Sequence, residues 1–378
     1  MDLIIGIIIG IVVLVILVVV HELGHAIVAR RNGVVVEEFG IGFPPKVWGK
    51  KLKNGILFTV NALPLGGFVK LQGEHDSARK KGDYGAATFW QKTRILFAGV
   101  VVNWVVAALI LTILALTGMP KILPNQFSIP SDTTQVSEPV TLASVVKEYP
   151  AEKAGLKTGD VVTSIAGQDI TTISQLIDTT KANKGKTVPI TYTRAGEDKT
   201  TTVALRDNDT ATFGSTLSQQ QSIRATWSAP IVGVVTTGQF TLATFQGLGQ
   251  LLSDFVGGIV LQLSPDAGTR KEATVSLERA GNSVAGPIGI LGTIFPAAGK
   301  AGPTEVVFLA AIISLTLAVM NTLPIPALDG GRWFVMALYR LMKKPLTKER
   351  EEKIQGAGFL ALMALIVVVT IGDVTKLF

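Results

Sequence analysis

The chain has 378 residues, 48% of them hydrophobic and only 17% charged, with a net charge of +7 and no cysteine. Soluble domains are nearer a quarter charged, so the composition argues against a water-soluble protein and for a membrane protein. Disulfide frameworks and cysteine-ligated zinc are excluded outright, and the length allows two or three structural units.

The first element is an apolar run. Leu3 to Val20 is 18 residues without a charge, about 27 Å as a helix and close to the hydrocarbon thickness of a bilayer. Asp2 is its only early charge, so it does not read as a cleavable signal. The run leads directly into His21-Glu22-Leu23-Gly24-His25. On a helix, H-E-x-x-H puts two imidazoles on one face, one turn apart, where they can hold zinc, and the glutamate can act on a metal-bound water. Spans are expected at 3–28, 95–117, 305–323 and 356–374. Between the first two lie 12 Lys or Arg, and between the last two lie seven. The positive-inside rule puts both basic loops in the cytoplasm and both termini outside. This explains the basic excess without nucleic acid, which is not expected as a partner. His21 then falls near the cytoplasmic side of the membrane.

From Ile56 to Leu71 a partly alternating pattern with Pro64 and Gly66-Gly67 predicts a short β-hairpin or looped strand, packed on the membrane as a re-entrant element. Residues 118–136 and 208–227 read as linkers. Between them, 137–207 is polar and rich in short strand patterns, with two glycines bracketing a short helix and a turn into a strand. Residues 228–262 are apolar-rich with Asp254 as the only charge. A span there would invert the last two, so an interfacial amphipathic helix is expected.

Two histidines and a glutamate leave a metal site incomplete, since catalytic zinc usually has three protein ligands. His75, between Glu74 and Asp76, reads as a solvated loop residue. Asp329 is the other candidate. It follows Asn321-Thr322-Leu323-Pro324-Ile325-Pro326-Ala327-Leu328 and precedes Gly330-Gly331. The prolines must break the helix, and the topology brings Asp329 to the depth of His21 and His25. Asn103, inside the second span, reads either as a helix–helix hydrogen bond or as support for the site.

With these motifs in hand, the chain resembles the site-2 protease family of intramembrane zinc metalloproteases, in its bacterial regulator-of-sigma-E-protease form. The carrying residues are His21 to His25 and Asn321 to Gly331. Phe39-Gly40-Ile41-Gly42, Gly66 to Leu71, Ala98-Gly99 with Asn103, and Gly286 to Ile290 support them. Residues 150–165 resemble a PDZ domain, one copy where many proteobacterial members have two. The sequence has Ala98-Gly99-Val100 where family members usually have Ala-Gly-Pro.

The resemblance implies a polytopic α-helical membrane protein of about four transmembrane helices, with a re-entrant β element and an inserted α+β PDZ domain. The expected organisation is 1–117, an N-terminal membrane half with the β element; 118–136, a linker; 137–207, the PDZ domain; 208–303, linker and interfacial helix; and 304–378, a C-terminal membrane half. It implies Zn2+ held by His21, His25 and Asp329, Glu22 as general base, and Asn321 near the active site, able to donate to substrate or oxyanion. Implied partners are single-span membrane proteins such as anti-sigma factors, remnant signal peptides, the lipid bilayer, and a peptide or C-terminus for the PDZ domain. The expected location is the bacterial inner membrane, with the active site near the cytoplasmic side and the PDZ domain outside. The rival expectation is a non-catalytic PDZ-bearing scaffold with a vestigial metal site; the intact Glu22 argues against it.

Overall fold

The computed structural model of the chain describes residues 3–208 and 212–377. It divides into two compact units, Met1–Leu114 with Pro230–Phe378, and Ala115–Ala229.

The first unit is mainly helical. Helix α1 (Leu3–Arg31) continues the apolar run through the histidine motif without a break and ends on Arg30 and Arg31. Helices α2 (Phe89–Leu96) and α3 (Ala98–Thr117) follow one another across Phe97. Thr88 starts α2 with a capping box, its side chain taking the Gln91 N–H while Gln91 reaches back. Among the described residues, four helices are long and apolar enough to cross a membrane: α1, the α2–α3 pair, α10 (Pro303–Met320) and α12 (Lys348–Leu377). Their outer faces carry Ile8, Ile113 and Val368, each more than half exposed. A continuous apolar surface of that kind is unfavourable in water and matches a lipid solvent. They cover the four stretches expected as spans from the sequence.

The segment expected as a short hairpin is larger. Two long antiparallel strands, β1 (Val36–Lys51) and β2 (Leu57–Leu71), fold back on one another. Residues 38–41 pair with 57–60 on one side and with 67–70 on the other, while 46–51 pair with 57–61. The order across the sheet is therefore 46–51, 57–61, 38–41, 67–71, with the last at an edge. Val36, Ile56 and Leu71 join Ala26, Ala29, Tyr84, Ile95, Leu96 and Met336 in one buried cluster. Each Val, Ile, Leu or Met among them contributes roughly 1.5–3 kcal/mol on burial, so the inner end of α1 is fixed against the sheet, α2 and α11 (Asp329–Leu341).

Helix α6 (Ala229–Gln262) covers the apolar-rich stretch expected at the interface. Its first half packs on other helices: Trp104 Nε1–H donates to Thr241 Oγ1 at 3.1 Å, and Phe240 meets Phe308 edge to face at 5.8 Å. Helix α7 (Ala267–Asn282) and the Pro287–Ala301 segment, made of α8 (Pro287–Gly289), a π turn and α9 (Phe295–Ala301), meet at 54° and would be a fifth span only if taken together.

The second unit is α+β. Its main sheet has six strands: β5 (Val140–Val145), β6 (Val161–Ile165), β7 (Gln168–Asp169), β8 (Thr187–Arg194), β9 (Glu197–Ala204) and β10 (Ser215–Ser218). The order is β10-β5-β6-β8-β9 with β7 on β6. Helices α4 (Pro150–Lys153) and α5 (Ile173–Ala182) pack on a core that includes Leu142, Leu156, Ile165, Leu176 and Ile190. The stretches read as linkers are structured. Residues 118–136 hold β3 (Met119–Pro120) and the start of β4 (Thr134–Ser137), and 208–227 hold β10 and β11 (Gln221–Arg224). β3, β11 and β4 form a three-stranded sheet. These strands are two to four residues long, too short for a period-2 pattern to stand out among Thr, Ser and Gln. Asp132 fastens this sheet by accepting hydrogen bonds from the Thr226 N–H at 2.9 Å and the Ser228 N–H at 3.0 Å.

Candidate metal centre

The side chains of the site arrive on two helices, α1 and α11. His21 and His25 come from adjacent turns of the continuous helix α1, their rings edge to face at 4.8 Å. Asp329 opens α11, at the end of a turn that the sequence forces. Pro324 and Pro326 stop α10, and Ala327 adopts a positive φ of 79°. The Gly330 N–H donates to the Asn321 carbonyl at 2.8 Å and the Leu328 N–H to the Ile325 carbonyl at 3.1 Å. Gly331 is required by close approach, because a Cβ there would lie 1.8 Å from the Ile325 carbonyl oxygen. Arg332 fixes α11 from the other side: Nη1 donates to Glu74 Oε1 at 2.7 Å and Nε to Glu351 Oε1 at 3.3 Å, with the guanidinium 4.8 Å from the Tyr84 ring centre.

The result is a triangle. His21 Nε2 is 3.2 Å from Asp329 Oδ2, His25 Nε2 is 3.3 Å from the same oxygen, and the two Nε2 atoms are 3.2 Å apart. Ligands about 2.0–2.1 Å from a tetrahedral zinc lie about 3.3 Å from one another. Three lone-pair atoms at that spacing, on two buried imidazoles and a mostly buried carboxylate, fit such an ion. His25 donates Nδ1–H to the Ile95 carbonyl at 2.8 Å, which leaves Nε2 as the free acceptor. Room for the triangle is left by Gly99 on α3: a Cβ there would lie 2.5 Å from His25 Nε2 and 2.6 Å from His21 Nε2.

Glu22 is half-buried beside this centre. The edge of the sheet passes next to it, since a Cβ on Gly67 would be 3.6 Å from Glu22 Cγ and from Val18 Cγ1. Asn321 ends α10, and its Nδ2 donates to the Leu317 carbonyl of its own helix at 3.1 Å. His75 stays outside the cluster that unites His21, His25 and Asp329. Asn103 is fully buried in α3. The Ile95 carbonyl and the Gly67 edge escape a reading by residue type, because backbone groups carry no side-chain signature.

Two histidines one helical turn apart, closed by a carboxylate from a proline-broken segment at the end of an apolar helix, define a metallohydrolase-type centre in a multi-helix, membrane-type fold. The model of peptidase family M50 matches residues 9–365. The chain belongs to that family. A Clostridium perfringens protein described as a zinc metalloprotease is 30% identical, covering 94% of each chain. The zinc metalloprotease RasP of Geobacillus kaustophilus and the regulator of sigma-W protease RasP of Bacillus subtilis are each 26% identical, covering 95% of each chain. Among solved structures, the PDZ domain of an SdrC-like protein from Listeria monocytogenes is 29% identical over 21% of this chain and 86% of its own, with a TM-score of 0.19.

Proposed function

We propose that this chain is an intramembrane zinc endopeptidase that cuts single-span membrane proteins. The observation that carries the reading is the triangle of His21, His25 and Asp329 at ligand spacing, set at the end of a helix with an apolar run long enough to cross a bilayer. Family membership and the naming of relatives as zinc metalloproteases support zinc as the ion.

When bound, zinc supplies Lewis acidity, making water acidic enough to act as a nucleophile and polarising a carbonyl. The protein does the rest. His21, His25 and Asp329 would hold the ion. Glu22, one residue from a ligand and half-buried, takes the proton of the attacking water and returns it to the departing amine. Asn321 serves the substrate carbonyl only by turning its amide away from Leu317. A helical substrate shields its carbonyls by hydrogen bonding, so it must be extended before attack. The 67–71 edge, running past Glu22 at Gly67, offers a backbone ladder for strand addition.

The substrate class rests on the buried setting of the site and on the regulator-of-sigma-W name of the Bacillus relative, which supports anti-sigma-factor-like or remnant signal-peptide segments. The six-stranded sheet of the α+β unit, with helices α4 and α5, supports a PDZ domain that takes an extended peptide or C-terminus. Loop charge supports a bacterial plasma-membrane location with the metal centre near the cytoplasmic side and the α+β unit outside.

Reconstitution in liposomes with a tagged single-span substrate tests the reading. Cleavage should stop on stripping with a strong chelator and return with stoichiometric zinc. Persistent cleavage by metal-free protein would remove the proposed mechanism.

A further inference from the structure

The two histidines differ in how their second ring nitrogen is held. His25 gives its Nδ1 proton to the Ile95 carbonyl. His21 Nδ1 is buried and has no hydrogen-bond partner. With His21 Nε2 turned towards Asp329 and His25, Nδ1 must carry the ring proton whenever Nε2 is a ligand. A buried N–H of this kind requires an acceptor, and ligating histidines almost always have one.

Asn103 has the complementary deficit. It is fully buried, and neither Oδ1 nor Nδ2 has a partner. The contact to the neighbouring helix does not use its side chain: Ser314 Oγ–H donates to the Asn103 backbone carbonyl at 2.9 Å. A helix–helix hydrogen bond through the amide is therefore not what keeps an asparagine there. Its place on α3 suggests what does. Asn103 lies one turn beyond Gly99 and on the same face. Gly99 abuts the imidazole of His21, its absent Cβ falling 2.6 Å from both Cε1 and Nε2. Helical side chains lean back towards the N-terminus, over the preceding turn. Helix geometry thus directs the Asn103 amide towards the turn of Gly99, where α3 meets the His21 ring.

We propose that Asn103 is a positioning residue for the metal centre: its Oδ1 accepts the Nδ1 proton of His21, directly or through one bridging water, and thereby holds Nε2 as the ligand. This assignment rests on the zinc reading above. It gives each histidine its own acceptor, a backbone carbonyl from α2 for His25 and a side-chain amide from α3 for His21.

The test uses the full chain in detergent, with zinc affinity measured by chelator competition and the melting temperature of the metal-free protein recorded alongside. Asn103→Leu should weaken zinc binding about 10- to 100-fold. The metal-free protein should melt near the wild-type temperature, because without metal His21 can carry its ring proton on Nε2, facing Asp329, and Nδ1 then needs no acceptor. Asn103→Asp keeps the acceptor and should bind zinc with close to wild-type affinity. Wild-type affinity in Asn103→Leu, or an affinity loss matched by a lower melting temperature, overturns the assignment and leaves the zinc reading standing. Failure of the wild-type protein to bind zinc overturns both.

Discussion

Gly99 sets how closely α3 approaches the imidazoles of His21 and His25. Its hydrogen occupies space that any Cβ would contest with both imidazoles, at 2.5 Å from His25 Nε2. Neither ring can retreat easily. His25 is held through Nδ1 by the Ile95 carbonyl, and both rings are buried. Gly99→Ala should therefore displace the ligand atoms and weaken zinc binding by on the order of 10-fold or more, while the four spans still form, since Ala is the better helix residue. Chelator competition and circular dichroism on the same sample check this. Normal zinc affinity in that variant would show that α3 is not tightly apposed to the rings. The residues of the triangle were legible in the sequence because ligand chemistry restricts them to a few types at fixed spacing. Gly99 was visible only as part of a motif, since a close approach is a property of two helices together.

At the scale of elements, the sheet of β1 and β2 is where sequence and structure part. The alternation in 56–71 pointed to a strand, but 36–51 contains Pro44-Pro45, three lysines and three bulky aromatics, and no period survives in it. Its strand character comes from pairing, as 38–41 is flanked on both sides by β2. Of the two edges, the one that passes Glu22 is 67–71. Val69→Pro should cut cleavage of a helical substrate strongly while zinc content stays near the wild-type value, because strand addition, as proposed, uses this edge for substrate and not for metal. Unchanged cleavage would remove strand addition from the mechanism.

The α+β unit has a charge-assisted clamp of its own. Asp160, almost completely buried, accepts from Arg194 Nε and Nη2, both at 2.7 Å, and from the Lys157 N–H at 2.7 Å. Burial works to raise the Asp160 carboxyl, but the Arg194 and Lys157 donors outweigh it and hold the group below the usual carboxylate range. A depressed folded-state pKa stabilises the fold above the unfolded value of about 3.9 and loses that contribution as pH falls through the lower folded value. Arg194→Ala should make residues 140–204 more protease-sensitive at pH 7 in the full chain. The difference from wild type should shrink below about pH 4. A difference that persists in acid would mean that Arg194 acts through packing on Tyr192, where its guanidinium lies 5.0 Å from the ring centre.

For the whole molecule, four apolar helices and an inserted α+β unit give two chemically different parts. The basic residues lie mainly in two loops, so both loops should share one side of the membrane. The chain has no cysteine, which makes single-cysteine labelling unambiguous. Cysteines at Lys80 and Lys344 should react only with reagent admitted to the cytoplasmic side, and one at Asp169 only with reagent from outside. Labelling of positions 80 and 344 from opposite sides would break the common depth of the histidine helix and Asp329 on which the site depends. The helices were legible because uncharged runs of this length have few alternative fates. The short strands of 118–136 and 208–227 were not, because tertiary pairing rather than local pattern makes them.

The central claim joins a metal to a base. Purified wild-type protein and Glu22→Gln, reconstituted with the same tagged single-span substrate and assayed for metal, test it together. Zinc near one per chain in both, with cleavage by the wild type alone, is the predicted result. Wild-type cleavage rates in Glu22→Gln, or a zinc-free wild type that still cleaves, would contradict it.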